Sequence, residues 1–123
     1  MADSIVIDLR SIESLRALSP GDNDEFLREI TGIFLEDTPM RLKELDESLG
    51  SGELEKFIRA AHSIKGSSSN LGAFSLRSAA EKLENLSRET GLVGVEALVR
   101  DVKDEYARAA KALNDIIRVP PPN

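Results

Sequence analysis

Apolar residues recur at three- and four-residue spacings along most of the 123-residue chain, a period that suits helices and little else. In 9–18, Leu9, Ile12, Leu15 and Leu18 follow Asp8, a good N-cap residue. From about 23 to 49 the stripe runs through Phe26, Ile30, Ile33, Phe34, Leu42, Leu45 and Leu49. Its phase drifts near Pro39, where a kink or break is expected because proline removes an intrahelical hydrogen bond. Leu54, Phe57, Ile58, Ala61 and Ile64 form a third stripe, and Leu76, Ala79, Ala80, Leu83 and Leu86 a fourth, with Ser75 as its cap. The fifth spans about 95–117 through Leu98, Val102, Tyr106, Ala109, Leu113 and Ile117.

Connections fall at Ser19 to Asp22, at Gly50 to Gly52 and at Gly91 to Gly94. Ile5, Val6 and Ile7 make the only β-branched cluster. The pattern predicts an all-α fold: an antiparallel four-helix bundle with an additional short N-terminal helix. A single domain is expected over 1–123, its core at about 22–117 and an extended Pro-rich tail at 118–123.

Charge and composition narrow the function classes. Lys and Arg total 16 against 22 Asp and Glu, a net charge of −6 that weighs against nucleic-acid binding. Without cysteine there is no disulfide, no thiolate nucleophile and no sulfur-ligated zinc. Aromatic residues are only 4%, which leaves few platforms for stacking bases or sugars. The N-terminal residues lack a signal-peptide pattern, and no apolar run approaches the roughly 20 residues that span a membrane. A cytoplasmic location is expected by elimination.

One segment breaks local rules. Gly66, Ser67, Ser68, Ser69 and Asn70 have loop composition, yet the apolar stripe from Leu54 continues to Leu71, so the helix is predicted to run to about Asn70. Glycine in a helix costs about 1 kcal/mol relative to alanine, and such a cost often marks close packing or a functional site. His62, Lys65, Gly66 and Ser69 fall at i, i+3, i+4 and i+7 and share one stripe, rotated away from the core-facing Leu54, Ala61, Ile64 and Leu71. His62 is therefore expected to be at least partly exposed, with a cation one turn on and bare backbone beside it.

Taken singly, these residues have ordinary readings. A lone helical histidine is commonly a surface residue, Lys65 a solvated charge, and the serines small residues at a helix contact; Ser68, on the inner side, is expected to be the last of these. Gly66 has no obvious structural need in mid-helix. A di-iron site fails because the Glu-x-x-His pattern is missing, position 59 being Arg59. A nucleophilic triad needs an acid behind the imidazole, and sequence alone does not place one.

The run His62, Ser63, Ile64, Lys65, Gly66, Ser67, Ser68, Ser69, Asn70, Leu71, Gly72, Ala73 resembles the signature of histidine-containing phosphotransfer (HPt) domains. Phe34 to Pro39 and Leu83 to Arg88 resemble the same family, and the likeness covers roughly 22–113. The resemblance implies that His62 accepts a phosphoryl group on Nε2 from a receiver-domain aspartate, or a kinase, and passes it to another receiver. It implies that Lys65 offsets the roughly −2 phosphoryl charge and that Gly66 leaves room for the partner. Ser69 is implied to hydrogen-bond near the phosphoryl group or ring, and Arg88, with Glu84, to border the site.

By the same resemblance the chain is a phosphocarrier without ATP-dependent kinase activity and without a cofactor of its own, Mg²⁺ coming from the receiver. Its partners would be response-regulator receiver domains and hybrid sensor histidine kinases, and the chain itself a monomer. Two alternatives stay open: a bundle that docks receivers without phosphotransfer, and a module of a hybrid or chemotaxis kinase. Its N-terminal sequence and proline tail fit a complete small protein, though Pro120 to Pro122 would also suit a linker. Partner choice is expected to depend on residues around His62, including Ile58, Arg59 and Ser63.

Overall fold

Residues 5–118 are described by the computed structural model, which is helical throughout. The helices are α1 (Leu9–Ala17), α2 (Glu25–Ser51), α3 (Leu54–Asn70), α4 (Phe74–Thr90) and α5 (Glu96–Arg118). Among the described residues there is no strand, and no helix is long and apolar enough to cross a membrane. Arg118 is still helical; the rest of the expected tail, 119–123, lies outside the described residues.

All five helices feed one core. Ile12 of α1, Leu45 of α2, Phe57 and Ile64 of α3, Leu83 of α4 and Leu113 of α5 are fully buried in one apolar cluster. Fully burying such a side chain is worth about 1.5–3 kcal/mol, so this cluster supplies the main drive to fold. The ends of the stripes fall outside it. Leu9, Leu18 and Leu54, at or just past helix ends, are exposed because the chain there projects past its neighbours, and Ile33 is exposed on the outer face of α2.

The break expected at Pro39 does not occur. α2 continues through it, and the carbonyl of Leu35, which an N–H at position 39 would have engaged, accepts a long hydrogen bond of 3.3 Å from the Tyr106 hydroxyl of α5. Burial pushes the Tyr106 pKa up, which keeps the hydroxyl a donor. Its ring packs on Phe34 at a centroid distance of 5.7 Å. A neighbouring helix thus repairs what proline removes.

Asp8 caps α1 as predicted, its carboxylate accepting from Arg10 N–H at 3.1 Å. Ser75 does not cap α4. It lies inside the first turn, and its own N–H donates to the carbonyl of Ile5 at 2.7 Å. Asp8 N–H reaches the carbonyl of Gly72 at 2.8 Å, so the segment before α1 straps across the α3–α4 connection. Gly72 has φ +71, and a Cβ there would meet Ser11 Cβ at 2.6 Å. Only glycine fits that crossing.

Tyr106→Phe is expected to cost about 0.5–1 kcal/mol by leaving the Leu35 carbonyl unpaired. In a Pro39→Ala background the helix supplies its own donor, and the cost should shrink. A urea-denaturation double-mutant cycle measures the coupling; additivity would show that Tyr106 does not compensate for the proline.

Candidate functional site

The packed face of α3, with Phe57, Ala60, Ala61, Ile64 and Ser68 buried, turns its other side outward. His62 stands there with its side chain 62% exposed. Lys65 follows one turn on, Gly66 is exposed, and Ser69 is partly covered. A Cβ on Gly66 would meet nothing within 4 Å, so close helix packing does not account for this glycine. Ser68 is the inward residue expected, fully buried, its hydroxyl donating to the Ile64 carbonyl.

The acid that sequence could not place is Glu84. Its side chain, only 5% exposed, projects from α4 against the His62 stripe. Oε2 lies 2.9 Å from His62 Nδ1 and 2.8 Å from Arg88 Nη2, and Oε1 lies 3.0 Å from Lys65 Nζ. The Lys65 contact is ionic rather than a directed hydrogen bond. Burial, the largest single influence, pushes the Glu84 carboxyl up. Hydrogen bonds from Arg88 and His62 and the charge of Lys65 together outweigh it and hold the pKa down, at about 2.

An ionised Glu84 decides the state of the neutral imidazole. A carboxylate accepts, so Nδ1 carries the proton, and the lone pair sits on Nε2. Histidine is thereby oriented as a nucleophile, and positive charge developing on the ring during attack meets a fixed negative charge behind it. Lys65 and Arg88 flank that carboxylate at 3.0 Å and 2.8 Å.

The structure gathers His62, Lys65, Gly66, Glu84 and Arg88 at one place. Ser69 is on the same stripe, but among the described residues its hydroxyl makes no hydrogen bond to the ring, whose partner is Glu84. The family resemblance put Glu84 at the border of the site, and the structure puts it behind the ring. The signal for it was present, since an acid at the edge of the α4 apolar stripe, four residues before an arginine, needs a partner when buried. Among the described residues no group of three or more His, Asp or Glu could hold a metal ion.

A model of the Hpt domain matches residues 29–112. Multistep phosphorelay regulator 1 of Schizosaccharomyces pombe is 25% identical over 118 residues, 94% of this chain, and the chain spans 40% of that protein's length. Histidine-containing phosphotransfer protein 1 of Arabidopsis thaliana is 23% identical over 107 residues, covering 85% of this chain and 70% of that protein. The crystal structure of histidine-containing phosphotransfer protein B from Pseudomonas aeruginosa PAO1 superposes with a TM-score of 0.84 at 28% identity, over 94% of this chain and 96% of that one.

Two predictions come from this geometry. The Glu84 carboxyl is held below its ordinary value of 4.5, so its stabilising contribution is present above pH 4.5 and is lost as the pH falls towards about 2. Over that window wild type should lose roughly 2 kcal/mol more stability than Glu84→Gln in urea titrations; parallel losses would mean that no ionised carboxylate is held there. The second compares two glycines. Gly66→Ala should raise the melting temperature, by an amount equivalent to about 1 kcal/mol, while Gly72→Ala, with positive φ and a clash, should lower stability by roughly 1–3 kcal/mol. Thermal melts that move both the same way would contradict the assignment.

Proposed function

This chain belongs to the Hpt domain family, and from that premise we propose that it is a phosphorelay intermediate of two-component signalling, carrying a phosphoryl group on His62 Nε2 between receiver-domain aspartates. The observation that carries this reading is the contact of 2.9 Å between Nδ1 and the buried Glu84, which leaves Nε2 as the free nucleophilic nitrogen on an exposed ring.

Transfer is written as an in-line displacement. The Nε2 lone pair forms the N–P bond as the P–O bond to the donor aspartate breaks, and the aspartate leaves as a carboxylate. The Nδ1 proton stays in its hydrogen bond to Glu84 and stabilises the charge acquired by the ring. In the forward step to the next receiver, an incoming carboxylate takes the phosphoryl group and the ring returns to its neutral form. Lys65 and Arg88 lower the energy of the phosphoryl oxygens, and Gly66 admits the partner's aspartate to near-attack distance, roughly 3–3.5 Å.

Magnesium is taken to arrive with the receiver. Neighbouring cations at Lys65 and Arg88 make His62 a poor metal ligand and a good phosphoryl acceptor. ATP-dependent kinase activity is not part of the proposal, and receiver domains and hybrid sensor kinases are the partners it names. It places the monomeric carrier in the cytoplasm. Ser69 is assigned at most a secondary hydrogen bond to the phosphoryl group.

A panel of phosphorylated receiver domains tests the reading. Wild type should acquire an acid-labile, alkali-stable label and His62→Gln none; a labelled His62→Gln would move the acceptor elsewhere. Lys65→Ala should transfer about 10-fold more slowly, equivalent to about 1.4 kcal/mol. Gly66→Gln should fold normally yet transfer more slowly still, since its side chain stands where the donor must approach. Wild-type rates in both variants would remove these residues from the mechanism.

A further inference from the structure

On a protein of net charge −6, the two grooves beside the outer face of α3 hold more basic than acidic residues. One groove, of about 350 Å³, lies between α2 and α3 and is lined by Arg41, Glu44, Lys56, Arg59, Ala60 and Ser63. A second, of about 250 Å³, lies between α3 and α4 and is lined by Glu55, Ile58, Arg59 and Arg88. Arg59 belongs to both. It stands one helical turn before His62, so the two side chains are neighbours on the outer surface of α3.

Arg59 also differs from the other cations in these grooves. Arg41 is paired with Asp37 at 3.4 Å and Glu44 at 2.7 Å, Lys56 with Glu47 at 3.6 Å, and Arg88 with Glu84 at 2.8 Å. Among the described residues no carboxylate lies within ion-pair distance of the exposed Arg59 guanidinium, although Glu55 sits one turn away. An unpaired guanidinium retains a full set of donors in a planar fork that fits a carboxylate.

The surroundings define the ligand. Ile58 gives the second groove an apolar wall for the stem of an entering side chain. Glu55, on the far side of Arg59 from His62, repels an acid that settles a turn too far along the helix. A carboxylate is thus drawn to the position nearest the histidine. On an otherwise acidic protein, such a local cation also steers an anionic surface into the productive orientation.

Building on the phosphocarrier reading, we propose that Arg59 is a partner-selecting residue that binds a carboxylate side chain presented by the receiver domain beside its phosphorylated aspartate. Arg59 makes and breaks no covalent bond. It governs encounter and docking, while the transfer step remains with His62 and the groups around it.

The test uses the full chain and a phosphorylated receiver domain chosen from a panel because it labels wild type. Values of kcat and KM for that receiver are measured for wild type, Arg59→Ala, Arg59→Glu and Arg59→Lys at low and high salt. KM should rise about tenfold in Arg59→Ala, rise further in Arg59→Glu and recover in Arg59→Lys, with kcat changing less than about twofold. Added salt should narrow the gap, as expected for an exposed charge pair. An unchanged KM in Arg59→Glu, or a fall in kcat at constant KM, overturns the selecting role. Wild type is treated in parallel with phosphoramidate, a donor too small to need docking. If neither phosphoramidate nor any receiver labels it, the carrier reading fails and the role of Arg59 fails with it; labelled wild type with an indifferent Arg59→Glu defeats the Arg59 proposal alone.

Discussion

A carboxylate that is almost fully removed from water is stable only if other groups replace its hydration, and Glu84 meets that condition with His62, Lys65 and Arg88. Two of these partners are on α3 and one is on α4, so the same contact ties the helices together and orders the reactive ring. Small residues make the approach possible. Ala61 and Ser68 on α3 and Ala80 and Ser87 on α4 are small and buried, which suits a close approach of the two helices. Site geometry therefore depends on the packing of core residues that adjoin the functional groups in sequence.

The rest of the bundle repairs local defects by tertiary contact. Pro39 deprives the Leu35 carbonyl of its helical donor, and Tyr106 reaches across from α5 to supply another. α4 begins without a side-chain cap, and the Ile5 carbonyl accepts the Ser75 N–H in its place. Both solutions satisfy backbone groups that would be costly to bury unpaired. The second also fixes the connection immediately after the His62 helix, since Gly72 is pinned beneath Ser11.

Electrostatics divides the site into an inner and an outer part. Inside, cations are committed to Glu84, which sets the tautomer of the ring. Outside, Arg59 has no carboxylate within ion-pair distance among the described residues, and the surface next to His62 stays receptive to an anion despite the net charge of −6. Chemistry and partner choice can thus be altered at different positions, because the residues that orient His62 are distinct from the one that faces outward.

The number and order of the helices, the cap at Asp8, the continuation of α3 to Asn70 and the outward stripe of His62, Lys65 and Gly66 were all legible in the sequence. These are properties of local period and local side-chain chemistry, which a helix expresses wherever it packs. The expected cap at Ser75 and a break at Pro39 fail because the compensating backbone contacts, Ser75–Ile5 and Leu35–Tyr106, are made across elements. Sequence alone did not place Glu84 behind the ring for the same reason: the residue lies 22 positions from His62, and no local pattern specifies a contact between two helices. Sequence determined which residues could carry the chemistry. The folded bundle decided which nitrogen is free to do it, because only helix packing sets a buried, ionised carboxylate against the other.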